Sequence, residues 1–202
     1  KDTIGFVGAP WTLMLYMLNR KSPKEGNFNV FPKDKYIHDI MVKLDEFLKI
    51  HIEAQIKSGA SIIQIFDSWA GLLPEKDLEH FVYKPIKSLV DFIRQKKVIS
   101  ICFPRNINNY KKFVENVNPD IINIDYKVDP SIIRDTIDIT VQGGLDPKIL
   151  LNNKDILRKE VTKYLKTFDK KRYIFNLGHG VLPDTNPDMV KYLVSIVRSF
   201  NG

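Results

Sequence analysis

Ser61-Ile62-Ile63-Gln64-Ile65-Phe66 is followed directly by Asp67-Ser68-Trp69-Ala70-Gly71. The first half is a short, nearly continuous apolar run, rich in β-branched residues. It does not alternate apolar with polar, so it reads as a strand buried on both faces, as in a parallel sheet. The second half is small, polar and aromatic, which is the chemistry of a turn leaving the sheet. The same two-part pattern recurs along the chain. Further runs lie at residues 3–7, 98–103, 121–124, 139–142 and 173–177. They lead into Gly8-Ala9-Pro10-Trp11-Thr12, Pro104-Arg105-Asn106, Asp125-Tyr126, Gly143-Gly144-Leu145-Asp146 and Gly178-His179-Gly180.

Helical patterns lie between these runs. Ile37, Ile40, Met41, Leu44, Phe47, Leu48 and Ile52 recur at i, i+3, i+4 spacing, which predicts an amphipathic helix. Ile156, Leu157, Val161, Tyr164, Leu165 and Phe168 do the same, as do Val190, Leu193, Val194, Val197 and Phe200. Asp129-Pro130, Asp146-Pro147 and Asn186-Pro187 each set a capping side chain before a proline at the first helical position. Strand and helix therefore alternate to the end, predicting an α/β fold with helical crossovers. Two closures fit, a doubly wound open sheet and a (β/α) barrel. Residues 19–35, with Arg20-Lys21-Ser22-Pro23-Lys24-Glu25-Gly26 near their start, read as a long polar loop and a candidate lid.

The surrounding composition is that of an ordinary globular chain. It has 202 residues, of which 44% are hydrophobic and 27% charged, so disorder is excluded for most of it. No apolar run approaches the roughly 20 residues of a membrane span. One cysteine, Cys102, rules out an internal disulfide and points to a reducing compartment. It sits in an apolar strand and is expected in the core. The net charge is +7, but lysine, isoleucine and asparagine together fill 63 positions. All three have A/T-rich codons, so coding bias accounts for much of the charge. The lysines scatter over helix faces, and no RNA-binding aromatic signature, helix-turn-helix or zinc finger is present. A nucleic-acid partner is not expected; the charge leaves an anionic small molecule open.

In parallel α/β folds, sites form at the C-terminal ends of the strands. Six ends rich in Gly, Asp, Ser, Trp, Arg and His suggest one shared pocket. Asp67-Ser68-Trp69-Ala70 lacks the Gly-x-Ser-x-Gly elbow of a hydrolase nucleophile. Leu182-Pro183 follows Gly178-His179-Gly180 where a dinucleotide fingerprint needs a third glycine and a helix. No Walker lysine motif occurs, and Cys102 has no neighbouring ligands for zinc. His38, His51 and His80 fall in helical segments and are expected at the surface or an interface. His179, between two glycines after a buried strand, is the histidine best placed to touch a ligand.

Four ordered segments resemble the uroporphyrinogen decarboxylase family. They are Ile4-Gly5-Phe6-Val7-Gly8-Ala9-Pro10-Trp11-Thr12-Leu13-Met14, Phe66-Asp67-Ser68-Trp69-Ala70-Gly71, Gln142-Gly143-Gly144-Leu145-Asp146-Pro147 and Asn176-Leu177-Gly178-His179-Gly180-Val181-Leu182-Pro183. The resemblance implies a (β/α)8 TIM barrel that removes CO2 from the four acetate side chains of uroporphyrinogen, giving coproporphyrinogen, with no metal or organic cofactor. It implies a homodimer in cytosol or plastid, with any transit peptide upstream of Lys1. It also implies roles for three residues. Tyr16 matches a cleft tyrosine that orients a catalytic carboxylate or a substrate acetate. Ser68 matches a serine that hydrogen-bonds substrate, and His179 a histidine that binds a substrate carboxylate or polar edge. Leu15 departs from the small polar residue often beside that tyrosine, and the loop at 19–26 from a more glycine-rich one.

The family's arginine-rich segment and its pyrrole-binding aspartate have no counterpart here. The expectation is that the chain is one domain, the C-terminal part of a barrel whose first two units lie elsewhere. Eight units take about 250 residues, so six take roughly 190. An open sheet of six strands would leave two exposed edges, which the missing units or a partner would cover. Alone, such a chain is expected to be inactive. The competing readings are a related zinc-dependent methyltransferase acting on corrinoid or thiol substrates, and a porphyrin-binding fragment without catalysis.

Overall fold

The structure, a computed structural model, describes residues 2–20, 36–169 and 171–200. The candidate lid at 19–35 therefore lies, beyond Arg20, outside the described residues. The chain divides into two compact units, residues 1–121 and 122–202.

The first unit carries β1 (Ile4–Gly8), α1 (Pro10–Asn19), α2 (Ile37–Lys57), β2 (Ile62–Asp67), α3 (Glu75–Leu78), α4 (Lys84–Gln95), β3 (Ile99–Pro104) and α5 (Tyr110–Val117). A five-residue π turn, Glu79–Tyr83, joins α3 to α4. β1, β2 and β3 are neighbours in chain order and pair in parallel. Each begins and ends one residue later than the apolar run predicts. The ladder extends into the first small or polar residue after the run, Gly8, Asp67 or Pro104, because pairing needs backbone and not an apolar side chain. Gly5, Val7, Ile63, Ile65, Ser100 and Cys102 share one face by alternation and register. α2 covers that face, since a Cβ on Gly5 would run into Gln55 Oε1. Ile63, Ile65 and Cys102 are completely buried there, as are Ile52 of α2 and Leu89, Val90 and Ile93 of α4. Burial pushes the Cys102 thiol up, with Asp120 and Asp67 adding to it, so it is an inert core group as expected.

The opposite face carries an aromatic row. Phe6 meets Phe66 edge-on at 6.1 Å, and Phe66 meets Phe103 edge-on at 6.0 Å. β1 has one further peculiarity. Ser61 N–H bonds Thr3 O and Ala9 N–H bonds Phe66 O, so the odd-numbered residues of β1 pair with β2. Phe6 therefore turns its amide to the outer edge. There the Gln55 side chain accepts from Phe6 N–H at 2.8 Å and donates to Phe6 O at 3.0 Å.

The second unit holds β4 (Ile121–Ile124), whose first residue closes the first unit, α6 (Pro130–Thr136), β5 (Thr140–Gly143), a 3-10 turn (Pro147–Leu151), α7 (Lys154–Thr167), β6 (Tyr173–Ile174) and α8 (Pro187–Ser199). β5 and β6 pair in parallel. Asp129, Asp146 and Asn186 each accept a hydrogen bond from the backbone N–H two residues on, as the Asx-Pro steps predict. Asp146-Pro147 opens only the 3-10 turn; α7 then starts from its own cap, Asn153, which accepts from Ile156 N–H. β6 is shorter than the run 173–177. Asn176 Oδ1 takes Leu177 N–H at 2.8 Å, a local bond that competes with the ladder, and Leu177 rejoins only as a single bridge to Leu145.

Candidate active site

In the first unit the site begins where β1 and β2 end. Pro10 opens α1 immediately after the β1 strand, with Ala9 N–H tied to Phe66 O at 2.8 Å. That places Trp11 and Thr12, both buried, beside the turn that follows β2. The Trp11 indole N–H donates to Trp69 O at 3.1 Å, and its ring packs on Phe81 at 5.6 Å. Thr12 Oγ1 donates to Asp67 Oδ1 at 2.6 Å and accepts from Trp69 N–H at 3.2 Å. Arg105 N–H donates to Asp67 O, and Gly71 N–H donates to Arg105 O, each at 3.0 Å. Glycine is required at 71, because a Cβ would strike the backbone oxygen of Asn106.

Asp67 has no exposed surface. Its Oδ2 has no hydrogen-bond partner among the described residues. Burial pushes its carboxyl up to about 7; the bonds to Thr12 and to the Trp69 backbone pull the other way and are outweighed. Ser68, next in the chain, is half-buried. Tyr16 lies one helical turn beyond Thr12, partly exposed, with its ring edge-on to Trp69 at 6.4 Å. Two of the three predicted site residues thus come from one hydrogen-bonded junction of α1 with the end of β2.

His179 belongs to the second unit. Its turn is seated against the ends of β5 and β4: Gly178 N–H donates to Leu145 O, just past β5, at 2.7 Å, and a Cβ on Gly178 would meet Tyr126 N, just past β4, with Asp125 C at 2.8 Å. Gly143 and Gly144 take φ of +90° and +108°, where a side chain is strained. Tyr173 and Tyr164 hydroxyls clamp their carbonyls at 2.9 and 2.6 Å. Burial pushes the Tyr164 phenol up to about 12 and raises that of Tyr173 as well, so both remain donors. Asp125 is buried and accepts from Lys127 N–H at 2.8 Å. His179 itself is exposed, and its Nδ1 accepts from Gly180 N–H at 2.7 Å. In the neutral ring this leaves the proton on Nε2, a donor suited to a carboxylate.

The family model for uroporphyrinogen decarboxylase (URO-D) matches residues 2–200. The chain belongs to the uroporphyrinogen decarboxylase family. Uroporphyrinogen decarboxylase of Rickettsia bellii is 42% identical over 210 residues, covering 98% of this chain and 60% of that protein. The Rickettsia felis enzyme is 38% identical, with 98% and 59% covered. The chain thus spans about 60% of the length of these relatives. In fold it is similar to a B12-independent methionine synthase from Shewanella sp. W3-18-1, with TM-score 0.62, 15% identity, and 98% and 62% of the two chains covered. It is also similar to dihydropteroate synthase from Anaplasma phagocytophilum, with TM-score 0.60, 13% identity, and 96% and 72% covered. At such identities the likeness is one of fold, a TIM barrel of which this chain supplies six β/α units. Among the described residues no helix is long and apolar enough to cross a membrane, and no group of three or more His, Cys, Asp or Glu is arranged to hold a metal ion. Tyr16, Ser68 and His179 are expected from the sequence; Thr12 and Asp67 are not. Both stand in the quoted motifs, and a buried acid at a strand end was the available signal.

Proposed function

We propose that the whole protein is a uroporphyrinogen decarboxylase and that this chain is the C-terminal part of its barrel, folded as one domain in that context. The observation that carries the reading is the family match across residues 2–200. The reaction needs no electron sink beyond the substrate. Protonation of a pyrrole carbon makes the ring cationic; the bond from the acetate methylene to its carboxylate then breaks, and its electron pair flows into the ring. A second proton converts the exocyclic methylene to methyl, and the ring carbon then gives up the first proton to restore the neutral aromatic pyrrole, so one proton is consumed for each CO2 released. The enzyme supplies a proton, a counter-charge to the cation, and donors for the remaining carboxylates.

His179 Nε2–H suits one of those carboxylates, since Nδ1 is already engaged by Gly180. Ser68 and Tyr16 offer hydroxyls at the junction beside Trp69. The Phe6, Phe66 and Phe103 row offers an apolar wall for pyrrole faces. The proton-delivering acid and the arginine clamps belong to the part of the protein beyond this chain. Homodimerisation is part of the same reading, and the bacterial relatives favour the cytoplasm over a plastid.

The test is anaerobic incubation of the whole protein with uroporphyrinogen, with products oxidised to porphyrins and separated by carboxylate number. Stepwise conversion to the four-carboxylate product is expected. No loss of carboxylates would refute the activity, and turnover by the 202-residue chain alone would refute the placement of the acid outside it. His179→Asn removes a bond to a charged group, worth about 1.5–3 kcal/mol. It should therefore raise KM about 10- to 140-fold.

A further inference from the structure

We infer that Asp67 and Thr12 are positioning residues for Ser68 and Tyr16, a buried carboxyl–hydroxyl pair that joins the end of β2 to the first turn of α1. The inference rests on the proposed roles of Ser68 and Tyr16 toward the substrate. The single hydroxyl of Thr12 makes two bonds in opposite senses, donating to Asp67 at 2.6 Å and accepting from Trp69 N–H at 3.2 Å. Those partners are the residues on either side of Ser68. Two further backbone groups are fixed as well, since Asp67 O accepts from Arg105 N–H and Trp69 O accepts from the Trp11 indole. Ser68 is thus held from both flanks while its own side chain stays half-buried. Tyr16 stands four residues after Thr12 on the same face of α1 and rests its ring on Trp69. The rotation of α1 that satisfies Thr12 therefore also sets where the Tyr16 hydroxyl points.

A purely structural joint would not be built this way. An apolar pair of the same shape would avoid desolvating a carboxyl and leaving Oδ2 without a partner among the described residues. What the polar pair adds is direction: a short bond to a carboxyl fixes the hydroxyl, and the hydroxyl fixes the amide that follows Ser68.

The experiment uses the whole protein in four forms: wild type, Thr12→Ser, Thr12→Val and Asp67→Asn. Thr12→Ser keeps the hydroxyl; Thr12→Val keeps the shape and removes it. Melting temperature, kcat and KM for uroporphyrinogen are measured on each. In parallel, each is labelled with 5-fluorotryptophan and the Trp69 resonance is assigned from Trp69→Phe. Thr12→Val, which leaves Asp67 Oδ1 and Trp69 N–H without this partner, is expected to melt below Thr12→Ser and, at temperatures where it is fully folded, to lose about ten-fold or more in kcat/KM, while Thr12→Ser should stay within about two-fold of wild type. The Trp69 resonance should move in Thr12→Val and Asp67→Asn and hold its place in Thr12→Ser. Equal kcat/KM in Thr12→Val and Thr12→Ser overturns the inference. Absence of turnover in wild type would instead remove the proposed activity. The fluorine spectra then decide the joint alone, and an unmoved Trp69 resonance in both Thr12→Val and Asp67→Asn overturns it.

Discussion

Replacing Asp67 by asparagine should flatten part of the pH dependence of stability. In the unfolded chain this carboxyl has its ordinary value of 3.8; in the fold, burial lifts it to about 7. As pH rises above about 4 the unfolded chain gives up this proton first, while the folded chain keeps it until about pH 7. The unfolded state then binds fewer protons than the native state, so this group lowers stability as pH rises through that window. Below pH 4 it contributes nothing, and above pH 7 its penalty is constant. At about 1.4 kcal/mol per pH unit, the full penalty is about 4 kcal/mol. Asparagine cannot ionise and escapes it, but its amide brings two N–H donors where the protonated carboxyl brings one, and Oδ2 has no partner among the described residues, so the extra donor costs about 1–3 kcal/mol. The variant should therefore be the weaker protein in acid and recover relative to wild type as pH rises. Urea unfolding of both whole proteins at about pH 4.5 and about pH 8 should show their difference moving by about 3 kcal/mol. Taking the difference cancels every other titrating group the two proteins share. A gap constant to within about 1 kcal/mol would refute the account of Asp67 as a carboxyl buried without adequate compensation.

Three further outcomes follow from the same geometry. Gly178→Ala puts a methyl against Tyr126 N and Asp125 C, neither of which is a flexible side-chain end; it should cost about 1–3 kcal/mol by chemical denaturation and weaken substrate binding through His179. Asn153→Ala removes the cap of α7 and should cost about 1 kcal/mol, with kcat/KM unchanged. In the 202-residue chain, Gln55→Ala opens the Phe6 amide at the edge of β1 to water and should cost about 0.5–1.5 kcal/mol. It should also speed hydrogen exchange at Phe6 and leave Val7, which pairs with β2, protected.

The order of strands and helices was legible because the strands are unbroken apolar runs; the expectation that each is buried on both faces holds for β4, whereas Ile4 and Phe6 of β1 and Ile174 of β6 are exposed. The three Asx-Pro steps were legible because the side-chain acceptor and the fixed proline φ are both local. Strand ends were not, since Gly8, Asp67 and Gly143 extend their ladders with residues that carry no apolar signal. β6 ended early because Asn176 offers Leu177 a nearer partner than the sheet does. Tyr16, Ser68 and His179 were named from the family motifs. The bond between Thr12 and Asp67 spans 55 residues. Nothing in the spacing of either residue foretells it; it exists only once β1 and β2 lie side by side.

The carboxamide at the outer edge of β1 changes what that edge can recruit. Gln55 satisfies Phe6 as a neighbouring backbone would, but it is a partner one residue long. A peptide laid along β1 must evict it, exchanging two bonds for two, so only the flanking positions gain. A stray extended segment at low concentration therefore finds little driving force for adhesion there. A strand carried on the same polypeptide arrives at an effective concentration in the millimolar range. For such a strand even a small net gain suffices, so the edge discriminates by tethering rather than by sequence.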